Sequence, residues 1–220
     1  IMRTVCEEIG VDISTNASVK SIIVEDSVAK GVILDDGSKI MSNKVISNLN
    51  PKLLFSNLIN HDHVDKEYLR KILNYKCGSG TFRMNVALSE LPNFNCLPGK
   101  EISEHHKSGI IIAPTLTYMD EAFTDAKKHG WSKNPIVEML IPSTVDQSLA
   151  PEGKHVASLF CQQFAPKLPM NKSWHDEKTN AAETIIDTVN KYAPNFKKSI
   201  IGSSILSPLD LEEKLGLVGG

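Results

Sequence analysis

The chain has 220 residues, 41% of them hydrophobic and 23% charged, within the range of ordinary globular sequences and long enough to bury a sizeable core. A net charge of −2 and the lack of any basic run give no electrostatic footprint for nucleic acid. The longest aliphatic cluster, Ile110–Ala113, is far too short to span a bilayer, so no transmembrane segment is expected. Four cysteines (Cys6, Cys77, Cys96, Cys161) share no CxxC spacing. They read as reduced, structural thiols, which sets the expectation of a cytoplasmic protein without a metal centre.

A helix-like segment opens the chain. Three β-rich runs follow, Val19–Glu25, Val28–Leu34 and Lys39–Met41, separated by Asp26-Ser27 and by Asp35-Asp36-Gly37. Asp-Gly between β-branched runs is a strong hairpin signal, because glycine supplies the positive φ of a tight turn. A fourth strand is expected at Lys44–Ser47. Asn50 then caps a helix over 51–59 that begins at Pro51, and Asp65 caps another over 66–74.

Thr81–Ser89 alternates cleanly. Phe82, Met84, Val86 and Leu88 share one face, and Thr81, Arg83, Asn85 and Ala87 share the other. Residues 92–108 read as a mobile loop. A short strand follows at 110–113, then a helix over 119–128 capped by Thr117 and Asp120 and stopped by Gly130. Two strands, 136–141 and 155–164, precede a helix over 176–192 with Thr179, Ala182, Ile185, Ile186 and Val189 at helical spacing. In the second of these strands, Phe160 and Phe164 point to core packing. A final strand, 200–206, leads to a helix opened by Ser207-Pro208 and closed by Gly216. The order of elements implies an α+β fold, a β-meander followed by a mixed-sheet domain (a mixed or antiparallel sheet rather than a doubly wound one) with helices packed on one face.

Several motifs carry less than they suggest. Gly78-Ser79-Gly80 precedes a strand, whereas a dinucleotide turn follows one and opens a helix, so it reads as a strand-entry turn. His61-Asp62-His63 and His105-His106 lack further ligands at metal-site spacing and read as surface histidines. There is no GxSxG or HExxH. No acid, base or nucleophile is assignable from the sequence.

The stretch NASVKSIIVEDSVAKGVILDDGSKIMSNKVISNLNP (16–51) resembles the middle of the phytoene desaturase-like branch of the FAD-dependent amine oxidase superfamily. The resemblance continues, in the expected order, in SGTFRMNVALSELPNF (79–94), IPSTVDQSLAPEGKHV (141–156), YAPNFKKSI (192–200) and LSPLDLEEKLGLVGG (206–220). It implies that residues 1–60 belong to an FAD-binding domain, 61–206 to a substrate-binding domain, and 207–220 to the return toward the first. It also implies FAD as cofactor. Val19 would meet the adenine through its backbone, and Asn48 and Leu49 would lie beside the adenosine and ribityl portion. In the family the open face of the substrate-domain sheet roofs the flavin, so Arg83 and Asn85 become substrate-cavity candidates. Arg83 there would bind an anionic or carbonyl group.

Relatives hold the FAD pyrophosphate on a GxGxxG turn that this sequence lacks, so the resemblance reads the chain as an internal fragment, inactive alone and not retaining flavin. The full-length enzyme would oxidise a C–H or C–N bond by hydride transfer to flavin, on a small hydrophobic or amine substrate. An aromatic content of 6% offers little material for an amine cage. The alternative is a non-catalytic lipid- or protein-binding or assembly module built on the substrate-domain fold.

Overall fold

The computed structural model describes residues 1–99 and 101–220. The chain divides into two compact units, Ile1–Lys76 and Cys77–Gly220. By packing, the boundary between the units falls between Lys76 and Cys77, and residues 207–220 pack within the second unit.

In the first unit, α1 (Met2–Glu8) is a short exposed helix bearing an Arg3–Glu7 ion pair. Strands β1 (Val19–Glu25), β2 (Val28–Leu34) and β3 (Lys39–Met41) form an antiparallel meander with β2 in the middle. Each hairpin is made locally. Asp26 and Ser27 both take positive φ (49° and 63°), matching the right-handed twist of the flanking strands. In the second hairpin Gly37 sits at φ 85° while Asp36 accepts the Ser38 amide at 2.8 Å. Gly31, at φ 146°, is the buried residue of β2, and a Cβ there would lie 2.1 Å from the Ile40 carbonyl oxygen.

The expected strand at 44–47 does not form. Among the described residues no strand pairs with this run, which is irregular backbone. Asn50 caps the next helix by accepting the Lys52 amide at 2.9 Å. That helix starts as α2 (Pro51–Leu53) and widens into a π-turn over Leu54–Leu58. After a single turn at His61–His63, whose residues are exposed, α3 (Lys66–Leu73) begins at its Asp65 cap. The Phe55 and Tyr68 rings meet edge-on at 5.3 Å, which holds α3 to the first unit.

The second unit is built on a five-stranded sheet of order β5-β6-β7-β4-β8. Its strands are β4 (Gly80–Leu88), β5 (Ile110–Ile112), β6 (Ile136–Leu140), β7 (His155–Phe164) and β8 (Ile200–Leu206). Every neighbouring pair is antiparallel, so of the mixed or antiparallel sheet expected, the antiparallel form is the one observed. The physical reason is that the β7-to-β8 connection crosses over β4. These two strands run the same way but never pair.

Helices α4 (Leu116–His129), α5 (Trp174–Tyr192), α6 (Phe196–Ser199) and α7 (Pro208–Leu215) complete the unit. The core joins Phe82, Met84, Val86 and Leu88 of β4 with Leu159 and Cys161 of β7 and with Trp174, Ile185 and Val189 of α5. Phe82 lies against Phe164 and Trp174 at 5.3 and 6.0 Å between ring centres. The buried stripe of α5 starts earlier than the sequence suggested, because Ser173 caps the helix and brings in Trp174, whereas Thr179 is exposed. The cap of α4 is Thr115, which accepts the Tyr118 amide at 3.0 Å, rather than Thr117.

Two further expectations change. Phe164 is in the core but Phe160 is on the opposite face, although both have even numbers. Gln163 takes φ 67° and the register shifts between Gly80 and Thr81, so one irregular residue turns Phe164 inward. In the 92–108 segment His106 is buried rather than at the surface. Its Nδ1 accepts the Ser103 amide at 3.1 Å, which leaves Nε2–H to donate to the Pro92 carbonyl at 3.0 Å. This neutral tautomer ties the two ends of the segment together.

Candidate functional site

The first unit contains a cavity of about 490 Å³, in the range of small-molecule sites. Val19 and Ile22 of β1, Val32 of β2, residues 45–49 and the helix residues Leu53, Leu54, Asn57 and Leu58 line it. Val19 therefore shares one cavity with Asn48 and Leu49, which lie far from it in sequence. The missing fourth strand explains how: unpaired with the meander, residues 45–49 stand off it and become a wall. The sequence alone did not place Ile22, Val32 or Asn57 there. Alternation along β1 and β2 fixes their common face, but not what lies opposite.

The cavity suits the adenine end of a dinucleotide. Its walls are largely aliphatic, which favours a flat apolar ring, and its polar groups are uncharged. β1 is an edge strand, so alternate backbone N–H and C=O groups on its outer side have no strand partner among the described residues. Those are the groups a purine edge needs. A bound FAD would supply hydride acceptance; the chain's residues here can contribute only placement and an apolar surround.

The second unit carries the other candidates. Arg83 and Asn85 project from β4 on the face opposite the core, with Asn85 exposed and Arg83 half-buried. Register sets Arg83 beside Phe160 and Leu206, and Asn85 beside Ser158 and Ser204. The Arg83 Nη2 donates to the Ser158 hydroxyl at 3.0 Å, and the guanidinium lies 5.3 Å from the centre of the Phe160 ring. A second cavity, about 200 Å³, is lined by Arg83, Glu138, Leu140, Ser158 and Phe160. Asn85 is on the same face but does not line it. Glu138 and Ser158 carry no signal in the sequence and Phe160 reads there as a core residue, because only strand register brings β6 and β7 to Arg83.

Of the cysteines, Cys161 is buried, and burial pushes its thiol far above the usual range. It is a core side chain, not a nucleophile. No helix among the described residues is long and apolar enough to cross a membrane.

No protein-family model matches the chain. In fold it resembles an oxidoreductase from Methanosarcina mazei (TM-score 0.63, 18% identity, covering 94% of this chain and 40% of that one). In sequence it is 35% identical over 222 residues to the rat pyridine nucleotide-disulfide oxidoreductase domain-containing protein 2, covering 94% of this chain and 38% of the relative. It is 25% identical over 205 residues to the carrot chloroplastic prolycopene isomerase, and 23% identical over 213 residues to the lycopene-forming phytoene desaturase of Pseudescherichia vulneris. These cover 90% and 94% of this chain, and 30% and 40% of the relatives. An antiparallel-sheet unit following a β-meander, matched along nearly its whole length, defines the class: an FAD-type oxidoreductase fold. The chain belongs to the superfamily of flavin-dependent oxidoreductases that includes the phytoene desaturases. It spans well under half the length of these relatives.

Proposed function

We propose that this chain supplies two parts of a phytoene dehydrogenase-like, FAD-dependent oxidoreductase: the pocket for the adenine end of the cofactor, and the sheet that faces substrate. The observation that carries the reading is the convergence of Val19, Asn48 and Leu49 on one largely aliphatic cavity. The whole protein would oxidise a C–H or C–N bond of a small hydrophobic or amine substrate by hydride transfer to the flavin. The cavity accommodates one end of FAD and offers no cationic side chain for its pyrophosphate. The chain alone is therefore proposed to be inactive and to lose flavin on desalting.

The test is a titration of the isotopically labelled chain with AMP, followed by amide NMR. Shifts concentrated at Val19, Asn48 and Leu49 are expected. Shifts scattered over the surface, or centred on the second unit, would refute the assignment.

The rival reading, a non-catalytic lipid- or protein-binding module, gives no role to a purine-sized pocket in the first unit. It would be favoured if AMP left those residues unmoved while an apolar ligand shifted them.

A further inference from the structure

The second cavity holds an arginine with spare bonding capacity. Arg83 spends one Nη2 hydrogen bond on Ser158 and stacks on Phe160, which together hold the plane of its guanidinium. Among the described residues it makes no ion pair, although Glu138 lines the same cavity. A guanidinium has five N–H donors, so an oriented fork remains available to an incoming acceptor.

The space beside it is limited. About 200 Å³ falls below the size of a whole small-molecule site, so it takes a head group rather than an entire ligand. The walls favour an apolar continuation of that ligand. Phe160 and Leu140 flank the arginine, and pairing places Ile111 of β5 in the same row as Glu138, Phe160, Arg83 and Leu206. Ile111, on the edge strand β5, and Leu140, at the end of β6, are 66% and 48% exposed, so both offer apolar surface on this face. From Arg83 to Ile111 is three strand spacings, roughly 14 Å, enough for a medium-length alkyl chain.

We propose that this face binds an amphipathic monoanion, with its carboxylate on the Arg83 fork and its apolar chain laid across the sheet toward Leu140 and Ile111. Glu138 sets the charge. Glu138 lines the same cavity and offsets the attraction that Arg83 offers a second negative charge, while the desolvation cost of a dianion grows more steeply than its charge, so a monoanionic carboxylate is favoured over a phosphate dianion. The inference rests on the reading of this sheet as the substrate-facing surface. It adds the substrate class, a medium-chain carboxylic acid rather than a pure hydrocarbon or an amine.

The experiment is an NMR titration of the labelled chain, observing the Arg83 side-chain Nε resonance. Decanoate, decanol and decyl phosphate are added below their aggregation limits. Decanoate is expected to move Arg83 and to bind about tenfold or more tightly than decanol. R83Q should remove that preference and leave decanol binding unchanged, and R83K should restore part of it. E138Q should strengthen decyl phosphate binding several-fold.

Equal binding of decanoate and decanol by the unaltered chain would overturn the proposal without reliance on any variant's folding. Decyl phosphate binding as tightly as decanoate would overturn the role of Glu138. Because no flavin is present, either failure leaves the cofactor reading standing. That reading fails separately, on flavin content.

Discussion

Asp210 offers a quantitative test of how the second unit is held together. Ser207 and Asp210 cap α7 reciprocally: the Asp210 carboxylate accepts the Ser207 amide at 2.9 Å, and the Ser207 hydroxyl accepts the Asp210 amide at 3.2 Å. The same carboxylate takes Lys178 of α5 at 2.7 Å and Lys214 at 2.8 Å, so it joins two helices. Burial alone would raise its pKa. Hydrogen bonds from Lys178, Lys214 and Ser207 outweigh burial and hold the carboxyl well below the usual carboxylate range.

The magnitude comes from exposure. The Lys178 and Asp210 side chains are 24% and 15% exposed, so their bond is a partly buried, charge-assisted one of about 1.5 kcal/mol. Lys214 is 57% exposed and adds about 0.5 kcal/mol or less, and weakening half of the cap adds a few tenths. Asp210→Asn should therefore cost about 2 kcal/mol at pH 7. The sign with pH is fixed, because a carboxyl depressed on folding stabilises above its unfolded pKa of about 3.9. That stabilisation disappears as pH falls below this value and through the folded one.

Urea unfolding followed by tryptophan fluorescence is the assay, since Trp131 and Trp174 both lie in the second unit. The gap between the chain and D210N should shrink steadily from pH 5 downward. A gap that stays constant into strong acid, or none at pH 7, would refute the reasoning.

Gly31→Ala would drive a Cβ to 2.1 Å from the Ile40 carbonyl oxygen, so β3 must separate from β2. Amide exchange at Lys39–Met41 should rise to unprotected rates at a cost above about 1 kcal/mol, while unaltered exchange would show that the meander yields more easily than the packing implies. His106→Ala removes both bonds that tie residues 92–108 and strands the Pro92 carbonyl. It should destabilise by about 1–3 kcal/mol and open that segment to proteolysis, as limited trypsin digestion would report.

What the sequence made legible was local. The meander, the strands at 155–164 and 200–206, and the Asn50, Asp65 and Ser207 caps are each set by neighbours within a few residues, and each falls where alternation and turn chemistry put it. What it hid depends on partners distant in sequence. The run at 44–47 has strand-like composition but meets no strand edge, so it ends as a cavity wall. Phe160 and Phe164 share a parity that one positive-φ residue, Gln163, breaks. His106 looks polar in sequence, yet a Pro92 carbonyl and a Ser103 amide make its burial inexpensive.

The sites divide in the same way. Arg83 and Asn85 were visible as the polar face of an alternating strand, while Glu138 and Ser158 required the register. Val19, Asn48 and Leu49 came from family resemblance alone, since nothing in their chemistry distinguishes them. Their common cavity is a property of three-dimensional packing.

Flavin content is the most direct measure of the central claim. The gene should be read across both ends of this segment, and the encoded polypeptide purified under non-denaturing conditions, desalted and scanned for flavin absorption. About one flavin per polypeptide is expected, with none retained by residues 1–220 alone. An encoded polypeptide without flavin, or one no longer than this chain, would contradict the account.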